Sequence, residues 1–394
     1  MKIVTLTTLY PNSVQPHHGI FVENRLRHLL AAHALQSVVV APVPWFPFTQ
    51  PMFGRYAAFA AVPPEERRHG LLIKHPRYPL IPKVGMASAP LLLALALLPV
   101  LQRIRNGGYD FDLIDAHYFY PDGVAAVILG RWFKKPVIIT ARGSDINSIA
   151  RFRWPRALIR WAANRAAGVV TVCDALRDRL IELGVRSDKI AVLRNGVDVK
   201  TFHPVNRDAT RARHGLRRRT LLSVGHLTPL KGHHIAIEAL TELVDVELLI
   251  AGEGEYEGAL RQLAESLGVA SRVRFLGVLP PHELKDYYGA VDALVLASSC
   301  EGWANVLLEA MACGTAVIAT NVGGTPEVVR SPEAGVLMTQ RTPGALAHAF
   351  RELCACPPLR TETRRYAERF GWEVTAAGQM SLFRQVLSGA ASGP

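Results

Sequence analysis

Two glutamates separated by seven residues, Glu301 and Glu309, lie in Ser299–Gly314, where the loop after an apolar strand runs into a helix of leucine, alanine and methionine. A glutamate in so apolar a helix needs a partner or a ligand, because an ionised carboxylate is costly to remove from water. Two acids flanking a helix N-terminus can bind sugar hydroxyls while the helix end faces a phosphate. Lys231 closes a second candidate segment, Val224–Gly232, which ends one strand and opens a helix. Its ammonium there suits a phosphate, and the neighbouring glycines let backbone approach a ligand. Gly252 and Gly254 make a further glycine turn at a strand end, able to sit beneath a nucleotide, and Asn321–Glu327 forms another turn after the next strand. Taken singly, a surface lysine and solvated acids stay open for these positions.

The elements that must hold these residues follow an alternating pattern. Lys2–Thr7, Val38–Val43, Leu71–Lys74, Phe111–Ala116, Val137–Thr140, Gly168–Val172 and Ile190–Leu193 are short apolar runs of strand length, with helix-length segments such as Phe21–Leu35, Gly123–Phe133 and Asp174–Leu183 between them. A second series, Thr220–Val224, Val246–Ala251, Val273–Leu276, Ala293–Ala297 and Ala316–Thr320, alternates with His233–Leu243, Glu257–Leu267 and Asn305–Cys313. Continuous apolar strands alternating with helices predict parallel sheets, here two α/β sheets in tandem, each doubly wound, with the default ligand site in the cleft between them. Residues 44–69 read as an irregular excursion, and the arginine-rich 204–219 as a linker.

Length and charge bound the rest. A chain of 394 residues fits two domains. The net charge of +12 sits almost wholly in the first half, where residues 1–200 hold 26 Lys and Arg against 13 Asp and Glu. The densest basic piece carries Arg151, Arg153, Trp154, Arg156 and Arg160. It predicts an anionic membrane surface or the phosphates of a polyanion as partner, or else an ordinary solvated helix face with its tryptophans packed inward. No helix-turn-helix, zinc-finger or stacking-platform motif accompanies the charge, so nucleic acid is not expected as a partner. The apolar run Ala89–Leu101 is too short to span a bilayer, and no secretory signal opens the sequence, which predicts a cytoplasmic protein, peripheral at the inner face of the plasma membrane. The five cysteines show no CxxC spacing, so they are read as reduced thiols, with no metal site. A dinucleotide-dependent dehydrogenase is excluded by the lack of a GxGxxG turn in either half.

With these segments together, the chain resembles the retaining family 4 glycosyltransferases of the GT-B fold, which use nucleotide sugars. The likeness covers essentially the whole chain. It rests on Glu301 and Glu309, the Lys231-Gly232 turn, Gly252–Gly254, Asn195–Asp198 ahead of Phe202, Gly323–Glu327, Gly19–Val22, Gly143-Ser144-Asp145, and the aromatic turn Gly371–Val374. It implies an α/β GT-B fold: two Rossmann-like domains facing across a cleft, 1–200 on the acceptor side and 201–372 for the nucleotide sugar, with a final helix at about 373–390 returning to the first domain.

The resemblance further implies His117, Lys231 and Glu301 at the reacting centre. Lys231 would hold the diphosphate, Glu309 the ribose and Glu301 the transferred sugar, and Gly302, Trp303, Asn305 and Val306 would lie along the donor. Gly19, His226, Gly252 and Gly254 would complete the donor site, and Phe21, Arg142 and Asp145 would lie on the acceptor side. The family's usual arginine is replaced by His226, which leaves Arg142 or Arg194 to supply the fixed charge, or Lys231 and backbone amides alone. The implied reaction moves a sugar, with retention, from a nucleoside diphosphate, UDP by frequency of use, to a lipid-linked or polysaccharide-precursor hydroxyl, with no metal or other cofactor. The rival expectation is an inactive GT-B scaffold acting as a binding subunit, supported only by His226.

Overall fold

The structure, a computed structural model, describes residues 1–80 and 85–391. It forms two compact units: Met1–Arg194 together with the chain from Glu373 onward, and Asn195–Trp372.

In the first unit the described residues form an eight-stranded sheet in the order Ile190–Val192, Gly168–Thr171, Val137–Ala141, Leu113–His117, Lys2–Leu6, Gln36–Val40, Leu71–Lys74, Glu65–Arg68. Neighbours are parallel except the last pair, which is antiparallel. Strands covered on both faces must be apolar throughout, and Leu113–His117 and Val137–Ala141 are buried at every position. The strand order reverses between Lys2–Leu6 and Leu113–His117, so the loops leaving their C-terminal ends diverge and leave a crevice there.

One face of this sheet is covered by the helices Ile20–Ala32 and Trp372–Ala391. Leu26, Leu29, Ala376, Met380 and Phe383 join Ile3, Val39, Leu113, Ile138 and Val170 in one core. Phe383 is fully buried, so truncating it to alanine removes about 3–5 kcal/mol.

The second unit carries a six-stranded parallel sheet in the order Val273–Gly277, Val246–Ala251, Arg219–Val224, Ala293–Leu296, Val317–Thr320, Gly335–Met338. Its reversal falls between Arg219–Val224 and Ala293–Leu296. Leu221, Leu248, Ile250, Val295 and Ile318 meet Ile235, Ile237, Leu260, Leu346 and Phe350 from the surrounding helices.

Two sequence expectations change, and a third segment gains its structure. Residues 204–219 are not a linker: they contain the helix Arg207–His214, capped by the Asn206 side chain on the Ala209 amide. Only Thr210 of that helix is buried, so it lacks an apolar stripe, and it is tied down instead by Arg207 and Arg211 on Asp292 at 2.7 and 3.4 Å. Residues 44–69 are also ordered, with the helix Arg55–Ala61 and the edge strand Glu65–Arg68. The apolar run from Ala89 is the first part of the helix Ala89–Asn106, whose Leu93, Leu97 and Leu101 enter the core while Leu91 and Leu95 stay exposed.

Candidate functional site

At the reversal of the second sheet, Lys231 follows the strand Arg219–Val224 and Glu301 follows its neighbour Ala293–Leu296. Their side chains meet, with Lys231 Nζ donating to Glu301 Oε1 at 2.6 Å. Glu301 is buried, whereas Lys231 keeps a third of its side chain exposed, so the ammonium remains reachable from solvent. The helix Asn305–Ala312 begins four residues beyond Glu301, and no side chain caps its N-terminus. The Leu307 amide donates to the Ala304 carbonyl, so the amides of Asn305 and Val306 and the positive end of the dipole face an incoming anion.

Asn305 and Glu309 stand four apart on the same face of that helix and are part-exposed, while Leu307, Leu308, Ala310 and Met311 are buried on the other side. Glu309 Oε2 accepts from Tyr288 Oη at 3.0 Å, and burial pushes its carboxyl up to about 7 against the lowering effect of that hydrogen bond. Asn305 Oδ1 accepts from Asn195 Nδ2 at 3.3 Å, Trp303 packs its ring near Phe370, and Gly302 and Val306 complete the segment. Lys231, Glu301, Gly302, Trp303, Asn305, Val306 and Glu309 thus lie in one local constellation around two adjacent loops.

The glycines of this site have a structural reason. A Cβ on Gly252 would lie 2.0 Å from the Gly225 carbonyl oxygen, and one on Gly254 would lie 2.3 Å from that of Leu227. Both serve the close passage of two loops over each other, so any effect on a nucleotide comes through the backbone they shape. Gly323, at φ +53°, would place a Cβ 1.9 Å from the Glu301 carbonyl oxygen, and the Gly324 amide donates to the Gly302 carbonyl at 3.2 Å. The turn after Val317–Thr320 is therefore what braces the Glu301 loop.

His226 is exposed at the end of the glycine loop. The two arginines considered as substitutes are engaged in the first unit: Arg194 pairs with Asp174, and Arg142 Nη2 lies 2.5 Å from His117 Nδ1.

The first unit gathers its own polar set at its reversal. His117 is buried, with Nε2 3.1 Å from Asp115 Oδ2 and Nδ1 against Arg142, so both ring nitrogens are occupied. Burial, reinforced by Arg142, holds this imidazole below its usual range despite Asp115. The Arg142 guanidinium lies 5.3 Å over the Phe21 ring. Asp145 is fully buried, and its carboxylate accepts the amides of Phe119, Arg142, Gly143 and Ile146, so it organises the loop after Val137–Ala141 rather than presenting oxygens to a ligand. Gly19, at φ +67°, would put a Cβ 2.3 Å from the Leu9 carbonyl and folds the first loop back on itself.

Sequence reasoning missed a pocket of about 180 Å³ past the C-terminal ends of the strands Lys2–Leu6, Gln36–Val40 and Leu71–Lys74, lined by Thr8, Tyr10, Asn12, His18, His75 and Tyr78 among others. Among its described lining residues there is no lysine or arginine. His18 is exposed, with Nε2 3.0 Å from the Thr8 carbonyl oxygen, and His75 lies 3.1 Å from Glu66. Asp122 was missed as well. Fully buried, it accepts from the Thr8 amide and hydroxyl at 2.6 and 3.0 Å, and burial raises its carboxyl to about 8. Its only sequence signal was the Pro-Asp-Gly turn.

The basic piece forms the helix Arg153–Arg165, preceded by Arg151 and Phe152. Arg151, Arg153, Arg156 and Arg160 are exposed, and so are Trp154 at 70%, Phe152, and Trp132 of the adjacent helix Val124–Phe133. Trp154 does not pack inward. Residues 146–173 contain no aspartate or glutamate. Among the described residues no helix is long and apolar enough to cross a membrane, and no group of three or more His, Cys, Asp or Glu is placed to hold a metal ion.

Comparison with known proteins bears on this arrangement directly. Residues 26–201 match the model for Glycosyltransferase Family 4, and residues 206–370 that for Glycosyl transferases group 1. The chain is 31% identical over 362 residues to a D-inositol 3-phosphate glycosyltransferase of Rhodococcus opacus, covering 84% of this chain and 80% of that protein. Among solved structures, sucrose-phosphate synthase from Thermosynechococcus elongatus superposes with a TM-score of 0.80 at 21% identity, covering 98% of this chain and 99% of that one. Anabaena HepE in complex with UDP-glucose superposes with a TM-score of 0.73 at 22% identity over the full length of both. With both halves matched in order and a relative of this identity spanned over four fifths of its length, the chain belongs to the family 4 and group 1 glycosyltransferases, nucleotide-sugar-dependent enzymes of the GT-B fold.

Proposed function

We propose that the protein transfers a sugar, with retention of anomeric configuration, from a UDP-sugar to a hydroxyl of a lipid-linked or polysaccharide-precursor acceptor at the cytoplasmic face of an anionic membrane. The observation that carries the donor half is the Lys231–Glu301 pair beside the uncapped start of Asn305–Ala312, with Glu309 one turn further along the same face. Lys231 and the first-turn amides meet the diphosphate, Glu309 accepts from the ribose hydroxyls, and Glu301 turns from Lys231 to the hydroxyls of the sugar. The bond from the anomeric carbon to the β-phosphate oxygen breaks as the acceptor oxygen bonds to that carbon on the same face. The leaving diphosphate takes the hydroxyl proton. Negative charge grows on that leaving oxygen, where the ammonium and helix dipole are already oriented, so no reorganisation is needed in the transition state. UDP is favoured because HepE is described in complex with UDP-glucose.

The acceptor half rests on the basic segment 146–173, which carries no aspartate or glutamate, with its exposed Phe152 and Trp154 and the neighbouring Trp132; it combines charge for anionic headgroups with aromatic side chains for the interface. The relatives' name suggests a second acceptor, a phosphorylated cyclitol.

Purified protein incubated with UDP-, GDP-, ADP- and dTDP-sugars, with membrane lipid extract or D-inositol 3-phosphate as acceptor, tests both halves by nucleoside diphosphate release. Turnover of a UDP-sugar that needs lipid extract supports the reading. Turnover with D-inositol 3-phosphate alone overturns its acceptor half, and no turnover of any donor overturns the whole.

A further inference from the structure

Behind His117 runs a buried polar chain that donor binding does not use. Asp115 and His117 alternate on the strand Leu113–His117, so they share a face of the sheet. Asp115 Oδ2 lies 3.1 Å from His117 Nε2 and 2.8 Å from Gln379 Nε2, on the helix Trp372–Ala391. Gln379 Oε1 in turn accepts from Arg25 Nε at 2.7 Å, and Arg25 Nη1 donates to the Leu193 carbonyl at 3.0 Å. Arg25, Asp115, His117 and Gln379 are each no more than 2% exposed.

This chain fixes proton positions as well as atoms. Arginine only donates, so the amide oxygen of Gln379 must face Arg25 and its NH2 must face Asp115. A carboxylate accepting from Gln379 takes the proton of His117 Nε2 as a second donor. The lone pair of Nδ1 then faces the Arg142 guanidinium, 2.5 Å away. His117 is thereby a neutral ring protonated on Nε2, with its plane set from two sides. The surroundings of Gln379 do not require a polar residue for packing, since Ala376, Met380 and Phe383 of the same helix enter an apolar core. Burying an amide, a carboxylate and a guanidinium together is a poor way to gain stability, which a hydrophobic replacement supplies as well.

We propose that Gln379 is a positioning residue: through Asp115 it sets the tautomer and orientation of His117, so that the C-terminal helix takes part in shaping the transfer site. Its effect on turnover rests on the proposed transferase function, with His117 at the reacting centre as the family resemblance implies, whereas its effect on the ring does not.

The test uses full-length protein labelled with 15N-histidine, with the His117 ring signals assigned from their loss in His117→Asn. Wild type should show the neutral Nε2–H pattern. Gln379→Met, close in volume, should shift those signals toward mixed tautomers, lower kcat about tenfold and leave the Kd for UDP and the donor KM unchanged. Should that variant fail to fold, Gln379→Glu keeps the acceptor toward Arg25, removes the donor toward Asp115 and reads the same quantities. A wild-type ring spectrum and kcat in the variant, with only a lowered Tm, would overturn the proposal. A changed ring spectrum alongside a wild type that turns over no donor would leave the positioning role standing and remove the transferase reading instead.

Discussion

The two units solve the same architectural problem with opposite electrostatics. Both are built on mainly parallel sheets whose order reverses beside the unit's first strand, and both gather their polar side chains at that reversal. In the second unit Lys231 and Glu309 keep part of their surface in solvent while Glu301 is buried, and the helix end beside them is uncapped. In the first unit Arg25, Asp115, His117, Asp122 and Asp145 are sealed from water and held by one another or by backbone amides. An open set can bind a highly charged ligand by exchanging Lys231's partner Glu301 for a diphosphate. A sealed set cannot take up charge cheaply, so it is suited to fixing tautomers and loop geometry.

That contrast can be broken at several points. Lys231→Ala and Glu309→Ala should lower kcat/KM by about 100-fold or more, the scale of losing one fixed group on developing charge, with little change in Tm. A comparable loss of Tm would assign these residues to the fold instead. Next in size is Gly323→Ala, which forces a Cβ to within 1.9 Å of the Glu301 carbonyl at a positive φ. It should destabilise the protein by about 3 kcal/mol or more, while Gly258→Ala, whose Cβ meets nothing within 4 Å, should be neutral or stabilising in denaturant titrations.

In the sealed unit, Asp122 holds its proton up to about pH 8, whereas the unfolded carboxyl releases it near 3.8. The stability tied to that proton is complete below about pH 4 and is lost as the pH rises toward 8, at up to about 1.4 kcal/mol per pH unit. Asp122→Asn should flatten that slope in unfolding curves measured from pH 5 to 8; an unchanged slope would place the proton elsewhere. The smallest effect on the folded protein is expected from Arg153→Glu with Arg156→Glu. This pair should weaken sedimentation with vesicles containing anionic lipid several-fold at low salt and leave UDP binding untouched, and equal binding by both proteins would remove the membrane surface from the account.

The strands were legible because parallel strands buried on both faces must be continuous apolar runs, as in Val137–Ala141 and Ala293–Leu296. The helix Arg207–His214 was not, since salt bridges to a distant aspartate leave no periodic trace. The same physics divides the sites. Lys231, Glu301 and Glu309 stand out as charged residues beside glycine turns at strand ends, a local pattern. Arg25, Gln379 and Asp122 are charged or amide residues whose partners lie over a hundred positions away, and a polar residue on a helix reads as solvated until its neighbours are known. The glycines were visible but carried a different reason, with Gly252 and Gly254 shaping loops against Gly225 and Leu227.

Calorimetric titration of the full chain with UDP, in wild type and in Glu309→Ala, tests the central claim most directly. A one-to-one Kd in wild type that weakens at least tenfold in the variant places the nucleotide on the open face of the second unit. Equal affinity in the two proteins, or no binding to either, would contradict it.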